Sequence, residues 1–437
     1  MARLVGCSLG VLALAAALLP PPAQVRAAQP PARLPASEPQ VRVLVWQAPL
    51  ARLRPAAAAA GVELRDGAGR VLQQFPGQAV LQLEVVNGWL QLRQDDGTAT
   101  DQWQAREFWL EALPGADDPD PGLWLQQRRY RGRLQLRVEG GVLQAVNHLP
   151  LETYLSSVVG SEMPASWPLE ALRAQAVAAR TYALKARKPA AAFDLQASTA
   201  SQVYKGVESE TPSTRAAVAG TRGLVLTYNN ALIDAVFHSS SAGGSTESSG
   251  DLWAKQLPYL VSVRDFDDAS PVRDWRQPLD QPRLRQAFPE LGGALGIEVL
   301  ATTPTGRISQ ARVLGPSGQL ALTGAQLRSR LGLKSTWVRF ELAAPAVQPP
   351  PPPPPVMQAL TLPTPAPAPA EVVQLVAVGR GFGHGIGMSQ WGALAMAQRG
   401  QSYAEILRHY YRGTALQPFN ELARTAKEDG QVLAVSR

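Results

Sequence analysis

Apolar and polar residues alternate with period two in the early part of the chain. Leu81, Leu83 and Val85 alternate up to Asn87-Gly88, and Leu90 and Leu92 alternate after it, which predicts two strands joined by a tight hairpin turn. Asp66-Gly67 marks another turn, and Leu134, Leu136 and Val138 run into Gly140-Gly141 as a second hairpin. Residues 41–129 therefore read as a β-rich region. The period then changes. Residues 151–159 read as helical, and Leu169, Leu172, Ala176, Ala179 and Ala183 recur every three or four residues, an apolar stripe along one helix face with Ser166 and Pro168 at its start. Small residues in the stripe predict close packing against a neighbour. Thr211-Pro212 opens a shorter helix ending near Gly220, and residues 224–228 and 232–237 flank Asn229-Asn230 as a hairpin. Towards the C-terminus, Gly379, Gly381, Gly383, Gly385 and Gly387 alternate with other residues. Ser389 then opens an Ala-rich helix that stops at Gly400, and the capping box Ser402-Tyr403-Ala404-Glu405 opens a last helix through Tyr411. Strands first and helices later predict an α+β fold.

Composition adds compartment and limits the chemistry. The 437 residues exceed one small core, and 45% hydrophobic with 18% charged residues excludes a wholly disordered chain. Residues 1–28 have the form of a secretory signal peptide: Arg3 at the start, an apolar run over 11–19, and Ala27-Ala28 for cleavage. That run is shorter than a membrane span and prolines 20–22 stop it, so no transmembrane anchor is expected after cleavage. Removal takes away the one cysteine together with Arg3 and Arg26, and lowers the net charge from +7 to about +5. The mature protein is thus expected to be exported, to the periplasm or to the cell wall and extracellular space. There, a basic surface suits anionic envelope polymers and not nucleic acid. Residues 29–40 read as a linker. Residues 343–370 hold 12 prolines and no charge, and are expected as a polyproline insertion between two strands of one domain. Residues 419–437 read as a polar tail.

Three segments have candidate chemistry. Glu162, in Ser161-Glu162-Met163-Pro164, is expected in a loop between two helices, beside Met163 and Trp167. Desolvation there would raise its pKa and suit it to acid catalysis; an ordinary helix-end carboxylate offsetting a dipole is the plainer reading. The 238–246 loop, with His238, Ser239, Ser240, Gly243, Gly244 and Thr246, is dense in hydroxyls and backbone amides and suits sugar hydroxyls or an anion. It equally suits a solvated turn. A serine hydrolase reading lacks an orienting acid. The third segment contains His384, Gly385, Ser389 and Gln390, and its glycine spacing fails the dinucleotide fingerprint.

Together these segments resemble the SpoIID/LytB family. The stretches 154–164 and 170–183, the 238–246 loop, Pro258-Tyr259-Leu260 and residues 381–393 carry the resemblance in order, over about Tyr130 to Thr414. It implies a SpoIID-type catalytic domain over 130–418, holding the proline-rich insertion and preceded by the β-rich region. The family includes peptidoglycan lytic transglycosylases that act on stem-peptide-free glycan, and proteins described as enhancers of a cell-wall amidase. By resemblance Glu162 is the catalytic acid and base, giving 1,6-anhydro-N-acetylmuramic ends. Gln175, Arg180, the 238–246 loop and the 384–390 segment are expected to form the glycan groove, with the Arg180 guanidinium reaching out from the edge of the apolar stripe. The expected partners are peptidoglycan strands and, in the second reading, a cell-wall amidase. Some relatives hold zinc through cysteine ligands; a mature chain without cysteine is expected to hold no metal and no cofactor.

Overall fold

The computed structural model describes residues 38–57, 59–95, 103–343, 374–420 and 422. The leader, most of the 29–40 linker, the proline-rich segment and nearly all of the C-terminal tail lie outside the described residues.

The fold is α+β. Two sheets fill the N-terminal half, antiparallel throughout except where Leu195–Gln196 pairs in parallel with Gln40–Ala48. A seven-stranded sheet runs in the order Leu195–Gln196, Gln40–Ala48, Val142–Pro150, Arg133–Glu139, Glu107–Leu113, Gly61–Asp66, Val71–Pro76. A six-stranded sheet runs Arg128–Tyr130, Leu123–Leu125, Leu50–Pro55, Leu81–Val86, Trp89–Gln94, Gln104–Ala105. Their inward faces, including Leu53, Leu81, Leu83 and Leu92 on one and Val43, Leu64, Leu110 and Leu136 on the other, belong to one apolar core. Asn87 and Gly88 both take positive φ, 50° and 78°, which fits the twist of the flanking strands.

The boundary expected at 129/130 does not divide this core. Strand Gln40–Ala48 pairs along its length with Val142–Pro150, from Gln40 opposite Pro150 to Ala48 opposite Leu143. The β-rich region is therefore built into the following helical part.

Helix α1 spans Leu151–Glu162, α2 spans Leu169–Ala186 and α3 spans Pro212–Ala219. Helix α2 packs against α1, α3, the helices Gln390–Gln398 and Tyr403–Tyr410, and strand Leu224–Tyr228. Its buried residues run all round the helix, from Ala171 and Leu172 through Gln175 to Ala183 and Leu184. The alanines permit neighbours on every side, so the single stripe read from the sequence understates the burial. The hairpin at Asn229-Asn230 forms with both asparagines at positive φ, but its second arm is only Ala231–Leu232. Residues Phe237–His238 leave it to pair in parallel with Met388–Ser389.

A smaller lobe has its own core, centred on Leu279, Phe288, Val313, Leu327 and Leu331. Within it, Val338–Ala343 and Gln374–Arg380 are antiparallel neighbours, Ala343 facing Gln374. The proline-rich stretch thus joins adjacent ends of one sheet. Replacing residues 345–369 by a short turn is expected to leave the melting temperature and any glycan cleavage unchanged. Loss of cleavage by a folded deletion protein would give the segment a part in the site.

Candidate active site

Glu162 is the last residue of α1 and not a loop residue. A carboxylate at a helix C-terminus faces the negative end of the dipole, so the plainer reading of a dipole-offsetting acid does not hold. The next residue, Met163, is buried, and Trp167 packs edge-on against Trp391 at 5.0 Å between ring centroids. The Val203 amide donates to Glu162 Oε1 at 2.7 Å, and Gln390 Nε2 donates to Oε2 at 3.5 Å. Burial pushes the Glu162 pKa above the ordinary carboxylate range, outweighing these two donors and the charge of Lys205.

This shift has a consequence for stability. The folded-state pKa is above the unfolded one, so the contribution of Glu162 is fully present below the unfolded value and is lost as pH rises through the folded value. The Glu162→Gln protein is expected to gain stability relative to wild type as pH rises across that window. Urea unfolding of both proteins at acidic and at neutral pH reads the difference; a pH-independent difference would count against desolvation of this carboxylate.

Glu162 opens onto a cleft of about 510 Å³ whose walls include Tyr182, Ser201, Phe237, His238, Ser239, Trp253, Arg328, Phe382, His384 and Gln390. The glycine-alternating segment forms one side of it. A Cβ at Gly383 would lie 2.6 Å from the His238 Cβ, and one at Gly387 would lie 2.1 Å from the Val236 carbonyl oxygen; both glycines have positive φ. Such close approach lets this segment zip onto the 238–246 loop. Ser389 then caps the next helix by accepting from the Gly392 amide, which sets Gln390, its first residue, beside Glu162.

The two histidines in the site are neutral. The Ile386 amide donates to His384 Nδ1 at 3.0 Å, so His384 Nε2 carries the proton and donates to the Phe237 carbonyl at 3.0 Å. Burial, reinforced by Arg328 and Arg307, pushes His384 down to about 4. His238 donates from Nδ1 to the Ile386 carbonyl and accepts at Nε2 from Ser241 Oγ at 2.8 Å; burial also pushes its pKa well down. A His–Ser contact therefore exists, but its third member is a carbonyl and Ser241 is buried, so no activated serine faces the cleft. The atoms around these rings are carbonyls, amides and a hydroxyl, a donor set that does not fit zinc.

The remaining residues named from the sequence divide into two groups. His238, Ser239, His384 and Gln390 meet Glu162 at the cleft. Ser240 and Gly243 turn inward, their hydroxyl and amide both donating to the buried Asp267 carboxylate, and Thr246 is buried against Val263. Gly244 is exposed, and Gly385 is buried against the Arg307 guanidinium. Gln175 and Arg180 are wholly buried in α2, away from the cleft. The Arg180 guanidinium donates to both Glu152 oxygens at 2.8 and 2.6 Å and does not reach out to a groove. Tyr182, Trp253 and Arg328 also line the cleft, and of these Tyr182 alone falls within a stretch that carries the resemblance. Tyr182 follows the motif arginine by two positions, a usable signal, whereas nothing local marks Trp253 or Arg328.

No helix among the described residues is long and apolar enough to cross a membrane. Comparison with known proteins gives consistent matches. A family model described as Stage II sporulation protein matches residues 139–228. Stage II sporulation protein D of Bacillus amyloliquefaciens is 33% identical over 289 residues, covering 62% of this chain and 74% of that protein. The protein of the same name from Bacillus subtilis (strain 168) is 33% identical over 296 residues, covering 62% and 76%. The amidase enhancer of Bacillus subtilis (strain 168) is 34% identical over 290 residues, covering 60% of this chain and 40% of the relative.

Proposed function

This chain belongs to the SpoIID/LytB family of stage II sporulation D proteins, and from that premise we propose that it is an exported lytic transglycosylase of stem-peptide-free peptidoglycan, with Glu162 as its acid and base. The observation that carries this reading is a single desolvated carboxylate. Glu162 is the one carboxylate among the described residues lining its cleft, and burial keeps it protonated above the usual range. A hydrolase of the ordinary kind uses two carboxylates, the second serving as nucleophile or as base for water. A transglycosylase has no such need. Protonated Glu162 gives its proton to the glycosidic oxygen, and the bond from C1 to that oxygen breaks. The C6 hydroxyl of the same sugar attacks C1, and its proton goes to the Glu162 carboxylate. One C–O bond is exchanged for another, no water is consumed, and the acid is restored. The intramolecular hydroxyl also removes the entropic cost of a second reactant. Gln390 and the Val203 amide hold the carboxylate in place through the cycle.

The test is product analysis on stripped strands, wild type beside Glu162→Gln, with 1,6-anhydro ends as the readout. A second reading follows from the similarity to the amidase enhancer: a glycan-binding protein that stimulates a partner cell-wall amidase. A folded wild type that yields no anhydro ends but raises the rate of an added amidase would favour that reading.

A further inference from the structure

The Glu162 cleft does not end at Trp253, Arg328 and His384. These three residues also line a second cleft of about 510 Å³, which runs on into the smaller lobe past Asp251 and Thr336. The two clefts share that wall. Trp253 is 38% exposed there, with its ring centroid 6.4 Å from that of His384. An exposed indole at such a junction is a platform for a sugar ring, apolar in body with a polar edge. The groove is thus longer than the part next to Glu162.

Arg328 stands at this junction. Its Nε donates to the Leu333 carbonyl at 3.2 Å, which ties the stem of the guanidinium to the end of its own helix, Gly324–Leu331. Among the described residues, no carboxylate forms an ion pair with it, in contrast to Arg307 nearby, which pairs with Glu247 at 3.0 Å. Arg328 is half-buried, and its pKa is pushed down by burial alone. It is also the one permanent cation among the described residues lining the Glu162 cleft, because both histidines there are neutral. A desolvated guanidinium without an internal anion is matched to an anion that arrives with the ligand. It is not among the groups that act on Glu162 titration, which are burial, the Val203 amide, Gln390 and Lys205.

We propose that Arg328 is the specificity residue for a sugar-borne carboxylate, namely the lactyl carboxylate that a muramic residue exposes once its stem peptide is gone. The inference rests on the glycan reading above and deepens it. A strand still bearing peptides has an amide in place of that carboxylate, and so lacks the charge and one acceptor oxygen. Selectivity for stripped strands then comes from a charge-assisted contact remote from the bond being cut.

The experiment compares stripped glycan strands with the same strands after conversion of their carboxylates to methyl amides. Dissociation constants are read in the Glu162→Gln background, where strands are not consumed, and cleavage is read with Glu162 intact. Native strands are expected to bind about 10- to 100-fold more tightly than amidated ones. Arg328→Gln is expected to bring that ratio close to one, and Arg328→Lys to give a ratio between the two. A ratio near one with Arg328 in place overturns the proposal without any variant, as does an unchanged ratio in a folded Arg328→Gln protein. Binding that discriminates, without cleavage by wild type, would end the transglycosylase reading and leave Arg328 its role. Cleavage without discrimination would do the opposite, and binding of neither strand would overturn both.

Discussion

Glu162→Gln is expected to lower the rate of glycan cleavage by about 10²- to 10⁴-fold, the range for removal of a positioned acid–base group. The amide keeps the size of the side chain and still offers an oxygen to the Val203 amide, which donates to it at 2.7 Å in the wild type. Local structure should therefore persist, and near-ultraviolet circular dichroism should be unchanged. What is lost is a transferable proton, needed twice: first on the leaving oxygen, then from the C6 hydroxyl. Because the raised pKa of Glu162 keeps it protonated above the ordinary carboxylate range, wild-type activity should fall as pH rises through the folded-state value. Anhydro ends formed at the wild-type rate by the variant would remove Glu162 from the chemistry.

Arg180→Met is expected to cost about 3–5 kcal/mol of stability, with no loss of glycan binding by the molecules that remain folded. The guanidinium is fully buried, donates to both Glu152 oxygens, and also reaches the Val218 and Leu224 carbonyls at 3.3 and 3.2 Å. Without it, Glu152 is a buried carboxylate whose remaining donors include the Gly223 amide at 3.3 Å. The Glu152→Gln/Arg180→Met double variant removes that stranded charge and should recover part of the loss, as urea unfolding would show. This pair fastens α1 to α2 and to the turn before strand Leu224–Tyr228, so it holds the helix that ends in Glu162. Glycan affinity that falls in parallel with a small stability change would instead return Arg180 to the groove.

Arg180 also shows the limit of reading periodicity. From the sequence, α2 has an apolar stripe with Arg180 at its edge, and the usual inference sends the guanidinium to solvent. That inference assumes one buried face. Four helices and a strand surround α2, so even Gln175 and Arg180 are enclosed. Glycines give the converse case. Their alternation from Gly379 to Gly387 is plain, but its cause at Gly383 and Gly387, the closeness of the chain to His238 and Val236, involves residues more than a hundred positions away.

Local rules determined much of this protein from the sequence alone. The Asn87-Gly88 turn, the Thr211 and Ser402 caps, the helix after Ser389 and the α+β class all depend on neighbours a few residues apart, and sequence carries that information directly. The order of the motifs also placed the chain in its family. Tertiary structure decided the rest. It made Glu162 a desolvated carboxylate, held both histidines neutral, took Arg180 and Gln175 into the core, and brought Arg328 from the smaller lobe to the junction of the two clefts. Desolvation and charge pairing are properties of a closed assembly, and they arise only once distant segments exclude water from the same space.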